Sequence, residues 1–420
     1  MNWIMKNNIP TSLALAWAAT LALAACGNNR TANGDASGIT DSIYPPVETQ
    51  QANADYRPAF EGQTRAPGLK TRTPYGHTVL TDKLESPWGI AVLPDGRLLI
   101  TEKKGVMRIV SADGTVGEAI TGIPTVDPSG QGGLLGIALD PDFSANRMVY
   151  WSFAEPAAAG GNHTAVGKGR LAADEKSIEN ATVIYRALPS HKGNLHYGSR
   201  LVFDRAGNLL VSTGERSDLV TRPQAQDLKS ALGKVLRITK DGQPVAGNPF
   251  AGRADALPEI YTYGHRNVQG LAFHPETGDL WEGEFGPKGG DEINIIEAGK
   301  NYGWPIITYG LEYSGKTVGD PPIQQQDGLE QPVYYWDPVL SPSGMAFYSG
   351  DAIPEWKNNL FIGGLSSTHI ARLAIKDNKV VGEERLLAAE GQRFRDIAQG
   401  KSGELYAITD AGRLYKIGKE

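Results

Sequence analysis

Trp88-Gly89-Ile90-Ala91-Val92-Leu93-Pro94-Asp95-Gly96, followed by Leu98-Leu99-Ile100-Thr101, reads as a strand, a Pro-Asp-Gly turn and a second strand. The same phrase, a small residue before alternating apolar ones, returns at Leu135-Gly136-Ile137-Ala138-Leu139 and at Gln269-Gly270-Leu271-Ala272-Phe273. Variants occur at Arg200-Leu201-Val202-Phe203 before Asn208-Leu209-Leu210-Val211, at Ser343-Gly344-Met345-Ala346-Phe347, and at Arg395-Asp396-Ile397-Ala398. The spacing, about 47 to 75 residues, suits a four-stranded sheet with variable loops, and helical periodicity is scarce. Six copies predict an all-β, six-bladed β-propeller over 70–420. A β-sandwich, or a pair of them, is the competing fold, but sandwiches do not generally repeat one strand-turn-strand phrase six times. In a propeller, loops distant in sequence converge at one end of the central channel.

Composition narrows the function. The chain has 420 residues, 41 Lys plus Arg against 47 Asp plus Glu, and a net charge of −6, so no sequence-wide basic field exists to grip nucleic acid. Its 51 Gly and 26 Pro suit many short strands joined by turns. The one cysteine, Cys26, permits neither an internal disulfide nor a cysteine-based zinc cage.

Lys6 and the apolar run Leu13 to Ala25 form an export signal, too short to span a bilayer comfortably. It ends in Leu23-Ala24-Ala25-Cys26, which resembles the bacterial lipobox, with Cys26 as the lipidated residue. Gly27 rather than Asp follows, which in such lipoproteins implies a periplasmic protein anchored to the outer membrane through its N-terminal lipid. The expected organisation is a signal peptide over 1–25, a lipidated cysteine and flexible linker over 26–69, and the propeller domain from 70.

No zincin-spaced His pair, Gly-x-Ser-x-Gly elbow or P-loop is present. What remains is a set of polar residues at the ends of the repeated strands. They include Gln131 in Gly130-Gln131-Gly132-Gly133, His196 in His196-Tyr197-Gly198-Ser199, and Arg266 and Asn267 in Gly264-His265-Arg266-Asn267. Glu284-Phe285-Gly286-Pro287-Lys288-Gly289-Gly290-Asp291-Glu292, Tyr302-Gly303-Trp304-Pro305 and Arg393-Phe394-Arg395-Asp396 complete the set. Arg393 and Arg395, two apart, point to one face of a strand and can fork onto carboxylates.

Together with Tyr334-Tyr335-Trp336-Asp337-Pro338 and Pro342-Ser343-Gly344-Met345-Ala346-Phe347, these phrases resemble the soluble pyrroloquinoline quinone (PQQ) dependent glucose/sorbosone dehydrogenase family, most nearly its periplasmic aldose sugar dehydrogenase branch. The likeness runs in order from about Leu84 to Ile417. It implies oxidation of the anomeric hydroxyl of aldose sugars to lactones, with electrons passed on to a quinone or another acceptor. It further implies PQQ as cofactor and Ca2+, held by the carbonyls of Gly286 and Pro287, as the Lewis acid that polarises the quinone. By the same resemblance His196 is the general base and Arg266 stabilises charge on the quinone oxygen. Asn267, Arg393 and Arg395 would bind cofactor, and Gln131 would bind sugar.

Tyr334 and Trp336 are read as a sugar-facing rim, with core packing the alternative. Asp291 and Glu292 brace the calcium loop or lie at the surface. Rim loops such as 154–168 and 311–330 are expected to set sugar preference.

The pattern departs at Ser366, where the family usually has a lysine, and at Phe285, where it commonly has a polar residue. Two other functions therefore stay open: a non-catalytic surface propeller that binds sugar or protein, and a calcium-dependent lactonase, which would need several carboxylates converging on the metal.

Overall fold

Each of the six repeated phrases forms the innermost strand of its own sheet in the computed structural model, which describes residues 42–420. The inner strands are Pro87–Val92 of blade 1, Leu134–Leu139 of blade 2, Leu201–Phe203 of blade 3, Val268–Phe273 of blade 4, Pro342–Phe347 of blade 5 and Phe394–Gln399 of blade 6. Each touches the next, and the sixth touches the first, so the blades ring a central axis. Closure is by chain ends: Tyr75–Thr81 adds antiparallel to the C-terminal strand Leu414–Lys419 of blade 6. No helix among the described residues is long and apolar enough to cross a membrane.

The small residue of the phrase has a packing cause. A side chain at Gly89 would meet the Leu135 carbonyl of blade 2 at 3.0 Å, and one at Gly270 would meet the Ser343 carbonyl at the start of blade 5 at 2.8 Å. Glycine lets neighbouring inner strands approach while apolar residues fill the space between blades, as Leu99, Met107, Trp151 and Phe153 do between blades 1 and 2.

Blades 3 and 6 break the rule. Arg200 and Asp396 occupy the glycine position there, and their side chains meet across the axis at 2.8 Å (Nη1 to Oδ2), both buried. Arg200 also donates from Nε to the Gln269 carbonyl of blade 4 at 2.9 Å and lies 4.6 Å from the ring centre of Trp88 in blade 1. Asp396 accepts the Ile90 amide of blade 1 at 2.9 Å. One ion pair thus ties four of the six blades together.

The folded region begins earlier than composition suggests. The signal peptide, Cys26 and the linker up to residue 41 lie outside the described residues, but 42–69 is no free tether. Ser42–Tyr44 pairs with Gly68–Lys70, which extends the sheet of blade 5. Between them, the Asp337 carboxylate accepts the Asn53 amide at 2.9 Å and the Ala54 amide at 3.1 Å, and Gln63 is fully buried, donating to the Pro332 carbonyl at 2.8 Å. This arm docks through backbone and amide hydrogen bonds, which a search for large apolar residues does not register.

Removing one partner of a buried ion pair strands the other charge, at a cost of about 3–5 kcal/mol. Asp396→Ala is therefore expected to lower the melting temperature far more than Asp95→Ala, whose carboxylate pairs with Arg97 at the surface. Equal thermal shifts for the two variants would show that the axial pair is not structural.

Candidate active site

At one end of the axis the loops enclose a cavity of about 470 Å³, within the usual range for small-ligand sites. Gln131, His196, Arg266, Asn267, Arg393 and Arg395 all line it, although they come from four blades or the loops leading into them. Trp88 supplies a flat wall, its ring packed against Arg200.

His196 is held in an uncommon backbone conformation, φ 47°, which costs about 1–2 kcal/mol for a residue with a side chain. Its loop is clamped from neighbouring blades. The His196 amide donates to Gln131 Oε1 at 2.9 Å, and the Gly198 amide donates to Asn267 Oδ1 at 3.0 Å. Gln131 and Asn267 therefore position the His196 loop as well as lining the cavity. The imidazole Nδ1 lies 2.5 Å from Glu215 Oε1, and both side chains are buried. With Nδ1–H donated to this carboxylate, Nε2 is the atom left to accept a proton. Burial, and next the charge of Arg266, push the His196 pKa down to about 4, against the opposing pull of Glu215. The ring is therefore neutral at ordinary pH.

Arg266 is positioned by its backbone and its ring neighbour. Its amide donates to Glu284 Oε2 at 2.5 Å, its Nη1 donates to the Gly286 carbonyl at 2.6 Å, and its guanidinium lies 5.2 Å from the Trp304 ring centre. Its Nε is buried without a partner. Arg393 and Arg395 do share a face: their Nε atoms each donate at 2.8 Å to opposite oxygens of Asp410. Burial pushes the Asp410 carboxyl up, but the two arginines outweigh it and hold the group below the usual carboxylate range.

The sequence reading omitted several lining groups, among them Lys103, Gln269, Tyr313 and Asp410. Lys103, Arg266, Arg393 and Arg395 give four cations against one carboxylate, a net surplus of three positive charges facing the cavity. Ser366 and Phe285, the two departures from the family pattern, line it as well.

Tyr334 and Trp336 are not at the rim. Both are buried in the core between blades 4 and 5, where the Tyr334 hydroxyl and the Trp336 indole N–H donate to Glu383 Oε2 at 2.8 and 3.3 Å. The Tyr334 oxygen accepts the Ala66 amide at 3.0 Å, so the pair belongs to the docking of the N-terminal arm. The exposed aromatic at the cavity is Tyr313, 72% accessible, in the 311–330 segment. The 154–168 segment, by contrast, falls largely within the paired strands Met148–Pro156 and Asn162–Leu171, and none of it lines the cavity.

Behind Arg266 the charge reverses. Glu284, Gly286 and Glu292 surround a void of about 10 Å³, and ligand atoms of His265, Glu282 and Glu284 lie within 4.8 Å of one another. Burial, followed by the charge of Glu284, drives the Glu282 and Glu292 carboxyls well above their ordinary range. Burial pushes Asp291 up to about 6 even though its carboxylate accepts the Gly286, Leu340 and Ser341 amides. Asp291 is thus a buried brace of the Gly286 loop. The Gly286 carbonyl faces Arg266, whereas Pro287 packs against Gly310 and lines neither cavity.

A family model described as Glucose / Sorbosone dehydrogenase matches residues 84–416. The chain belongs to that family. It is 42% identical over 342 residues to aldose sugar dehydrogenase YliI of Escherichia coli (strain K12), covering 81% of this chain and 91% of that one. Its fold matches a crystal structure of glucose dehydrogenase with a TM-score of 0.79 and 45% identity, over 82% of this chain and all of the other. It also matches the PQQ-bound form of aldose sugar dehydrogenase from Streptomyces coelicolor, with a TM-score of 0.68 and 31% identity over 83% and 99% of the two chains. This family membership makes the protein an oxidoreductase of the sugar dehydrogenase type.

Tyr334→Phe should cost about 1–3 kcal/mol by leaving the Glu383 carboxylate short of a donor, and should leave the KM for sugars unchanged. A raised KM with wild-type stability would return Tyr334 to the substrate site.

Proposed function

We propose that the protein is a PQQ- and calcium-dependent dehydrogenase that oxidises the anomeric hydroxyl of aldoses to lactones. The observation that carries this reading is the pairing, in one cavity, of a surplus of three positive charges with a neutral, carboxylate-oriented imidazole.

The residues fit the cofactor. PQQ is a flat ortho-quinone with three carboxylates, matched in number by the charge surplus and in shape by the Trp88 wall. Arg393 and Arg395 would take a carboxylate as paired forks, and Arg266, which lines the same cavity, would face a quinone oxygen. When bound, PQQ supplies the two-electron acceptor for hydride leaving the anomeric carbon.

The residues also fit a hard divalent cation. Carboxylates driven upward by burial and mutual repulsion are what such an ion relieves, and the void between Glu284, Glu292 and the Gly286 carbonyl is about the size of one small occupant. Pro287, proposed from sequence as a second carbonyl ligand, lies outside that void.

The protein's own chemistry is proton transfer. His196 Nε2 takes the proton of the anomeric hydroxyl, and Glu215 holds the tautomer that makes this possible and stabilises the imidazolium that forms. Burial, and next Arg266, oppose that protonation and keep the base unprotonated to low pH. Tyr313 offers an exposed aromatic face to the apolar side of a pyranose. The lactonase alternative would need its metal-bound carboxylates open to substrate, but those behind the Gly286 loop do not line the cavity, and the one described carboxylate that does, Asp410, is committed to two arginines.

Reconstitution of apo-protein with PQQ and calcium, followed by dye reduction on an aldose panel, tests this function. Activity should vanish with EDTA, and His196→Ala should lose about 100- to 10,000-fold in kcat while still binding PQQ. No change in PQQ absorbance or protein melting temperature at saturating cofactor would overturn the reading.

The pH profile tests the electrostatics. A folded-state pKa near 4, below the ordinary value of about 6.5, means that the acid limb of kcat/KM should fall near pH 4. Between those values the unfolded chain binds the extra proton, so His196 adds stability that is lost as pH drops through the window. Arg266→Gln should move the acid limb upward, and an unmoved limb would mean that Arg266 does not act on His196.

We further infer that Cys26 carries the lipid that holds the protein at the periplasmic face of the outer membrane. Cys26→Ser should release it into the soluble periplasmic fraction, and continued membrane association would overturn this localisation.

A further inference from the structure

Lys103 differs from Arg393 and Arg395 in having no carboxylate of its own, and from Arg266 in engaging a single backbone carbonyl. Arg393 and Arg395 share Asp410, and Arg266 is spent partly on backbone carbonyls. None of the described carboxylates pairs with Lys103, whose Nζ makes one hydrogen bond, to the Gly130 carbonyl at 2.6 Å. An ammonium has three donors, so two remain.

Its backbone is fixed from both sides. Lys103 lies in the turn Glu102–Gly105 of blade 1; its amide donates to the Ser86 carbonyl at 3.2 Å, and its carbonyl accepts the Leu134 amide of blade 2 at 3.0 Å. The side chain is half-buried at the cavity wall. Burial, and then the charge of Arg395, push its pKa down against the opposing pull of Asp410, so an anion placed beside it would favour the charged ammonium.

The order of the blades gives the location meaning. Arg393 and Arg395 belong to blade 6, which is flanked by blade 5 on one side and blade 1 on the other. On the blade 5 flank the cavity wall is Leu365 and Ser366, and the Ser366 hydroxyl is occupied by Ser341 Oγ at 2.7 Å. Among the described residues no cation lines the cavity there. On the blade 1 flank stands Lys103.

We propose that Lys103 is an anion-receiving residue of the cofactor site, which takes a carboxylate of PQQ from the blade 1 side of the Arg393/Arg395 pair. The inference rests on the PQQ reading above. A competing source of the same chemistry is an acidic sugar, because Lys103 also touches Gly130, next to Gln131.

Equilibrium titration of the apo-protein with PQQ, read by cofactor absorbance and by protein fluorescence, separates these cases without turnover. Lys103→Met should weaken PQQ binding about 10- to 100-fold, the effect expected on losing one charge-assisted hydrogen bond. It should also flatten the dependence of Kd on salt. Lys103→Arg should stay near wild type. Adding Ser366→Lys to Lys103→Met should recover part of the loss by supplying the cation from the other flank. Matching apo melting temperatures for the Met and Arg variants exclude a folding effect.

Wild-type PQQ affinity in Lys103→Met would overturn the proposal. So would an unchanged Kd together with a raised KM for a uronic acid but not for its neutral aldose, which would assign Lys103 to substrate. Failure of the wild-type protein itself to bind PQQ would overturn the parent reading and this one together, and is seen before any variant is made.

Discussion

The buried pair of Arg200 and Asp396 is the constraint on which the rest of the structure hangs. In a six-membered ring, blades 3 and 6 stand opposite each other, so this contact spans the axis. A propeller core is a set of separate inter-blade contacts, each joining neighbours only. The axial pair adds a link between blades that do not otherwise meet, and it does so at the level where four inner strands pass the channel. Burial pushes the Asp396 carboxyl up, with Arg200 opposing, so the pair carries a desolvation cost that hydrophobic residues would avoid. Its return is geometric. Arg200 packs on Trp88, and Trp88 is a wall of the cavity, so the contact that closes the channel also sets the wall of the site.

Much of the fold was legible because one physical demand recurs. Inner strands of adjacent blades approach so closely that a Cβ at Gly89 or Gly270 has no room, and that demand leaves a glycine at a fixed place in four of the six phrases. The two exceptions, Arg200 and Asp396, read in sequence as imperfect repeats; only the ring shows that they are partners, 196 residues apart along the chain. The loop residues His196, Arg266, Arg393 and Arg395 were legible through the phrases that contain them, and they do share one cavity.

What escaped the sequence did so for identifiable reasons. Tyr334 and Trp336 lie on the outermost strand of blade 4, and an aromatic there has the same local pattern as one on a rim; the deciding partner, Glu383, is on another blade. The arm over 42–69 has the composition of a linker because it is held by Asp337, Pro332 and the edge of a sheet rather than by its own apolar residues. Glu215 sits 19 positions from His196 with no spacing rule to connect them. Lys103, in Glu102-Lys103-Lys104-Gly105, has the look of a solvated turn, and only closure of blade 6 against blade 1 brings it beside Arg395.

The site is organised by separation of charge. Cations face the open cavity and buried carboxylates crowd behind the Gly286 loop, with Arg266 at the boundary and its Nη1 on the Gly286 carbonyl. Folding alone would not favour either cluster, since like charges repel and burial raises the cost of each. An anion in front and a cation behind, as proposed above, would relieve both. The same boundary bears on His196. Burial, and next the charge of Arg266, depress its pKa, and Arg266 is itself held between the Trp304 ring and the loop that Asp291 braces. Trp304 in turn has Arg222 5.2 Å from its ring centre, and Arg222 pairs with Glu312, next to Tyr313 at the cavity mouth. These contacts run from the buried carboxylates through Arg266, Trp304 and Arg222 to Glu312, beside the exposed aromatic.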